Sequence, residues 1–374
     1  MTKQFAAMQE NCALTKVGLF HFENFLSGLG SNLHVYSLGL CRALQMKNAR
    51  MRTYRTWVYR DVEACGGATQ QPSPTTLSRA PLTIESPLHC YFPQAEPICP
   101  GDMLNDDVNS PVDTFDMNAM FSNVSAKNGT LIDRNACPLI LNGPMSEVSK
   151  IRAATTEYLF TRVSSIVQKE AERQLNILFG SNGVTGNNAT SSTVQKVPKN
   201  LITVHMRWGD KASEMKLVPT LEYIEAINDI LRRRKSKNSR RWTPFFAMTH
   251  RDDRNDDDSV HIYLCTEDPL AVKHFMLLKP KHWNVYLDQY YVATLPTRKK
   301  IGNVDIAHVI AAETFRGRTG LIALGSLLVA MEANDFVLTT ASNWSRLMNE
   351  IRKNIINPRC NECTKMIDLS FGEF

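Results

Sequence analysis

The stretch that most restricts the fold is Leu201-Ile202-Thr203-Val204, a short, mostly branched apolar run that stops abruptly at a polar cluster. Branched apolar runs of this length form strands buried on both faces. His205, Arg207, Asp210, Lys211 and Glu214 then arrive within ten positions. Pro219 opens a helix whose Leu221, Ile224, Asn228 and Leu231 share one face. A polar cluster between a buried strand and a helix lies at the carboxyl end of that strand, where open α/β sheets bind ligands. An Arg there offers a planar fork of donors to a phosphate or carboxylate. A Glu within reach can take a proton. In a plain surface loop the same side chains would pair among themselves.

The alternation continues to the end of the chain. Ile262 to Thr266 is an expected strand with a helix from Pro269. A short strand near Asn284 to Leu287 precedes a loop. The apolar helix 318–332 precedes a strand from Phe336 to Thr340. Helix 344–356 carries Trp344, Leu347, Met348, Ile351 and Ile355 in register. Strands alternating with helices predict a parallel sheet. Polar groups again follow the strands: Thr266, Glu267 and Asp268 after one, Thr340, Ser342 and Asn343 after another. Ser342 or Asn343 is suited to cap the last helix, and Glu267 or Asp268 the helix at Pro269. An exposed helix N-terminus there would aim free N–H groups at the crevice that Arg207 faces.

The first half is less regular. Gly28-Leu29-Gly30-Ser31-Asn32-Leu33-His34 precedes a helical pattern through Tyr36, Leu40 and Leu44. Paired glycines before a helix let a backbone approach a ligand, and they also make an ordinary tight turn. The third glycine of the dinucleotide fingerprint is missing. Met51 to Tyr59 suits a strand. Residues 65–145 are rich in Pro, Ser, Thr, Asn and Gly, which predicts irregular, crosslinked structure. Residues 151–178 read as one amphipathic helix. The Gly/Asn/Ser/Thr-rich break from Ser181 to Asn200 predicts two domains, 1–196 and 197–374.

Composition excludes several classes. A charged fraction of 21% and a net charge of +6 suit an anionic small ligand, and no RNA-module motif or basic stripe with aromatics points to nucleic acid. The basic run Arg232 to Arg241 faces an acidic run from Asp252 to Asp258, which reads as a solvated insertion. No secretory leader is evident, and Leu321 to Met331 is too short to span a bilayer. The expectation is a soluble chain or the lumenal part of an anchored protein. Cys65, Cys90, Cys99 and Cys137 are candidate disulfide partners, Cys360-x-x-Cys363 a local disulfide or two inert thiols, and Cys41 and Cys265 buried. The odd count of nine leaves a free thiol. Asn-x-Ser/Thr sequons at Asn123, Asn128, Asn188 and Asn343 are no more than chance supplies. No carboxylate and His cluster has clear metal-ligand spacing.

His205-x-Arg207-x-x-Asp210-Lys211, Glu214 and Pro219-Thr220-Leu221-Glu222-Tyr223 resemble the core motif of the α1,6-fucosyltransferases. Gly28-x-Gly30-x-x-Leu33-His34 is similar to that family's N-terminal glycine loop. Ile262 to Pro269, Asn334 to Arg346 and Ile367 to Gly372 resemble its later motifs in order. The likeness covers most of 200–374 and residues 25–60. Three departures stand out: Trp208 replaces a second consecutive Arg, one residue fewer separates Lys211 from Glu214, and positions 320–331 hold no carboxylate.

The resemblance implies a GT-B-like fold of two α/β domains, the C-terminal one a Rossmann-like parallel sheet. It implies an inverting transferase using GDP-fucose and no metal, acting on a glycan acceptor such as an N-glycan core or a chitin-like oligosaccharide in the Golgi lumen. Arg207 would take the β-phosphate and Glu214 would be the base, with Lys211 beside it. Gly28, Gly30, Asn32, His34, His205, Asp210, Glu267, Asp268, Thr340, Ser342 and Asn343 would line the nucleotide site. Other GDP-fucose transferases, α1,2- or protein O-directed, share the His-x-Arg logic. A non-catalytic sugar-nucleotide-binding protein could keep the same fold.

Overall fold

The computed structural model of the chain describes residues 1–14, 16–20, 28–46, 49–53, 57–66, 86–97, 99, 113–116, 145–180, 197–208, 216–235, 259–294 and 307–370. They form two compact units. The first holds Met1–Ile166 with His308–Leu321; the second holds Val167–Ala307 with Ile322–Phe374. Residues 181–196 of the expected break and 236–258 of the expected charged insertion lie outside the described residues. Arg232 to Lys235, read as the start of that insertion, are instead the last turn of a helix (Thr220–Lys235), and Arg234 donates to Asp335 (2.6 Å).

In the first unit, α1 (Thr2–Gln9), β1 (Lys16–Phe20), α2 (Leu29–Gln45), β2 (Ala49–Thr53), β3 (Asp113–Asp116) and α3 (Met145–Phe160) surround a parallel sheet of order β2-β1-β3. The strand read over Met51 to Tyr59 is β2, which starts earlier and stops at Thr53. Side chains hold its outer edge. Gln9 acts as a partner strand, its Nε2 donating to the Met51 carbonyl (2.7 Å) and its Oε1 accepting the Met51 N–H (2.8 Å). Glu96 accepts from the Thr53 N–H (2.8 Å), the Thr53 hydroxyl (3.0 Å) and the Tyr36 hydroxyl (2.9 Å). Burial pushes its carboxyl above the usual carboxylate range, against the pull of those donors. Disulfides Cys12–Cys99 and Cys65–Cys90 tie the irregular stretch down. This matches the crosslinked expectation for Cys65, Cys90 and Cys99; Cys137 lies outside the described residues.

The helix expected over 151–178 is two: α3 and α4 (Ser165–Phe179). The Ser164 N–H donates to the Tyr91 carbonyl (2.9 Å), which diverts that amide from a helical ladder.

The second unit is built on strands β4 (Leu201–His205), β5 (Val260–Cys265), β6 (Trp283–Leu287), β7 (Asp335–Leu338) and β8 (Lys365–Asp368). All pair in parallel, in the order β6-β5-β4-β7-β8. β4 and β7 are buried at every position, as strands covered on both faces must be. Helices α5 (Thr220–Lys235), α6 (Pro269–Leu278), α7 (Gln289–Thr294) and α10 (Asn343–Ile351) follow successive strands. Between α7 and β7 the chain runs through α8 (Ala307–Thr314), which from His308 on belongs to the first unit, and α9 (Arg318–Ala330), which from Ile322 on belongs to the second. Ile202, Val204, Ile262, Leu264, Ile227, Phe275 and Trp283 form one apolar core between sheet and helices. The α/β class with parallel sheets in two units, the layout expected of a GT-B-like chain, is what the structure shows.

α9 is buried, and Gly325 explains how closely α4 packs on it. A Cβ there would meet the Gln174 amide at 2.8 Å. Gln174 in turn donates to the Ile322 carbonyl (2.9 Å) and accepts from the Ser326 hydroxyl (2.8 Å). After α10 the chain passes through a π-helical turn (Arg352–Ile356) and a short α11 (Asn357–Cys360) into the Cys360–Cys363 disulfide. Cys265 is buried with a free thiol; Cys41 is buried and disulfide-bonded.

Candidate functional site

From β4 the second unit's sheet grows to β5 and β6 on one side and to β7 and β8 on the other. The strand order thus reverses between β4 and β7, and it is outside the carboxyl ends of strands at such a switch point that open α/β sheets form their ligand crevice. His205 is the last residue of β4. Its Nδ1 lies 2.6 Å from the Ser345 hydroxyl, in the first turn of α10, the helix that follows β7. The Ser345 oxygen accepts the Thr339 N–H at 3.2 Å. The Thr339 hydroxyl sits 2.6 Å from the Tyr223 hydroxyl of α5, to which the Arg207 backbone amide is also bonded. These four side chains are buried, so the two strand ends and two helices are locked by one polar network.

Burial holds the His205 imidazole far below its ordinary range, at about 3, with the Arg207 charge adding to the shift and Glu267 opposing it. The ring is neutral at physiological pH. Burial likewise pushes the Tyr223 hydroxyl up to about 12.

Arg207 follows the strand end. Its guanidinium donates to Glu267 (3.1 Å) from the end of β5 and to the Trp208 carbonyl (3.3 Å). The Glu267 side chain is 42% exposed against 11% for Arg207, and an ion pair with one partner in water is weak. A ligand anion can therefore displace that carboxylate. Trp208, where the resembled family has a second Arg, packs its ring edge-on to His274 (5.4 Å) and donates its Nε1 proton to the Val218 carbonyl (2.9 Å). It ties the end of β4 to the segment just ahead of α5 and brings no charge.

Asp268 is the N-cap of α6, accepting from the Leu270 (2.6 Å) and Ala271 (3.3 Å) N–H groups. The capping reading of Asp268 is thus seen directly. For Ser342 the outcome differs: it occupies the N-cap position of α10, but its side chain makes no capping bond. The turn before α10 is held instead from β8. Asp368 accepts from the Thr340 N–H (3.1 Å) and hydroxyl, and Ser370 from the Ala341 N–H (2.8 Å). Asn343 is the first residue of α10. Asp210, Lys211 and Glu214 lie outside the described residues.

In the first unit Gly28 is the N-cap of α2, at φ −59°, and its missing Cβ would meet only the His308 ring at 3.9 Å. Gly30, Asn32 and His34 lie within the helix, not ahead of it. The Asn32 carboxamide donates to the Gly28 carbonyl (3.2 Å) and accepts from the Trp57 indole (3.3 Å), and both Asn32 and His34 are buried.

Two polar groups at the strand ends escaped the sequence reading. Ser345 is one. The other is Asp288, buried just after β6, which accepts the Tyr290 N–H at 2.8 Å and whose carboxyl burial raises to about 6. The signal for Asp288 was the strand–acid–helix pattern already seen at Asp268. Among the described residues no group of three or more His, Cys, Asp or Glu is placed to hold a metal ion, and no helix is long and apolar enough to cross a membrane.

A scan against protein-family models gave no match, and no curated protein matched. Among solved structures, the chain is similar to the crystal structure of POFUT1 in complex with GDP. That likeness spans 94% of this chain and 99% of that one, at 11% identity and a TM-score of 0.38. At that score it bears on neither fold nor function.

Proposed function

We propose that this chain is an inverting glycosyltransferase that moves fucose from GDP-fucose to a glycan hydroxyl without a metal. The observation that carries the reading is the coincidence of motif and fold. His205 and Arg207, the heart of the fucosyltransferase-like motif, stand at the topological switch point of a parallel sheet. Arg207 would trade Glu267 for the β-phosphate, and the α10 N-terminus would add N–H donors. Charge-assisted donors then carry the developing diphosphate charge that a metal would otherwise neutralise. Glu214, seven residues beyond Arg207 on the same loop, would remove the acceptor proton, with Lys211 keeping it ionised. The α1,6 linkage and the Golgi lumen rest on the motif resemblance, and the disulfides suit an oxidising compartment.

The test is transfer from GDP-fucose to a panel of N-glycan, chitin-oligosaccharide and protein-hydroxyl acceptors, with and without EDTA. Turnover that survives chelation is expected. Glu214→Gln should lose about 10²–10⁴-fold in turnover with donor affinity nearly unchanged. Wild-type turnover in that variant removes Glu214 from the mechanism, and no transfer to any acceptor removes the enzymatic reading.

A further inference from the structure

The network around His205 fixes more than its position. A backbone N–H can only donate, so in the Thr339–Ser345 contact the Ser345 oxygen accepts. Its own hydroxyl proton then needs an acceptor. Among the described residues the only other polar partner of Ser345 is His205 Nδ1, at 2.6 Å. Ser345 is fully buried, and a hydroxyl proton left without an acceptor there would carry the desolvation penalty of an unmade hydrogen bond. The reverse arrangement, Nδ1–H donating to Ser345, would create that orphan. Nδ1 is therefore the acceptor, and in a neutral imidazole the proton then belongs to Nε2. The one side-chain hydrogen bond of His205 among the described residues is that at Nδ1, which leaves Nε2 for a ligand.

We propose that Ser345 sets the tautomer of His205, so that Nε2 carries the ring proton and presents an N–H donor to an acceptor oxygen of the ligand, the nucleoside diphosphate on the reading above. Ser345 is a positioning residue acting through His205. Thr339 is the next link, because its amide donates to the Ser345 oxygen and so leaves His205 Nδ1 as the acceptor for the Ser345 hydroxyl proton. The low proton affinity of His205 keeps this donor neutral over the physiological range, so it selects hydrogen-bond acceptors without adding a charge beside Arg207.

The experiment combines a spectroscopic readout with a binding one. Two-bond ¹H–¹⁵N correlation spectra of ¹⁵N-histidine-labelled protein, assigned with His205→Gln, report which nitrogen is protonated. Wild type should show a bare Nδ1 and a protonated Nε2. Ser345→Ala should shift the ring to the other tautomer or a mixture. Ser345→Thr, which restores a hydroxyl, should return the wild-type pattern and guard against simple misfolding. In calorimetric titrations Ser345→Ala should weaken GDP by about 3- to 10-fold, with rescue by Thr. A protonated Nδ1 in wild type, or an unchanged pattern in Ser345→Ala, overturns the assignment. A shifted tautomer with unchanged GDP affinity overturns the donor role. A wild-type protein that does not bind GDP brings down the functional reading, while the spectra still decide the tautomer.

Discussion

The two units solve the same problem by different means. In the second unit, five parallel strands pair continuously and helices cover them, so apolar burial does most of the work. In the first, the described sheet has three strands, and side chains and disulfides hold the irregular segments to it: Gln9 and Glu96 on β2, Cys12–Cys99 across 87 residues, Cys65–Cys90 across 25. The only disulfide described wholly within the second unit closes three. Specific crosslinks do for irregular chain what layering does for regular chain.

The disulfides should break this comparison most sharply. In the chain-entropy account the Cys12–Cys99 loop is worth about 4–5 kcal/mol and the Cys360–Cys363 loop about 2 kcal/mol. Removing the first pair by Cys→Ser should lower the opening energy of β1 and β2 amides in hydrogen exchange, leaving β4 and β5 protection unchanged. Removing the second should barely move either. Equal losses in both units would remove the contrast. The complementary change is Phe336→Ala in β7, fully buried, which should cost the second unit about 3–5 kcal/mol in denaturant unfolding with or without reductant. A smaller change separates capping from binding at Asp268. Asp268→Ala should cost about 0.5–2 kcal/mol and leave GDP affinity as it was; a matching loss of affinity would place that carboxylate in the nucleotide site.

The smallest effect is a pH dependence in which two groups of the second unit oppose each other. Asp288 titrates near 6 in the fold against 3.8 normally, so the folded state holds its proton longer and stability falls as pH rises from about 4 to about 6. His205 titrates near 3 against 6.5 normally, so the unfolded state gains the proton first and stability falls as pH drops from about 6.5 towards 3. Between 4 and 6 the slopes offset. Asp288→Asn should expose the His205 slope alone, with melting temperature now rising across that window. A melting curve as flat as wild type would show that Asp288 does not titrate there.

Much of the second unit was legible because buried strands and amphipathic helices each leave a period in the sequence. Leu201 to Val204, Ile262 to Cys265 and the helix at Pro269 all lie where the apolar pattern puts them. Other features carried no such period. β1 is one five-residue strand whose partners lie 33 and 97 positions on. The break between α3 and α4 depends on Tyr91, far away in sequence. At the site, His205 and Arg207 announced themselves as polar residues after an apolar strand. Ser345 did not, because a serine in a helix's first turn looks like any other until the fold brings it 140 positions back to His205. Gly30, Asn32 and His34 looked like a ligand loop, yet they belong to the helix, since a helix can start at its first glycine as easily as after its last.

The central claim is that the crevice at the ends of β4 and β7 binds a nucleoside diphosphate through Arg207. Calorimetric titration of GDP into wild type and Arg207→Ala tests it most directly. Loss of a charge-assisted, bidentate-capable contact should weaken binding by about 10- to 150-fold, corresponding to about 1.5–3 kcal/mol. Equal GDP affinities in the two proteins, both folded, would contradict the account.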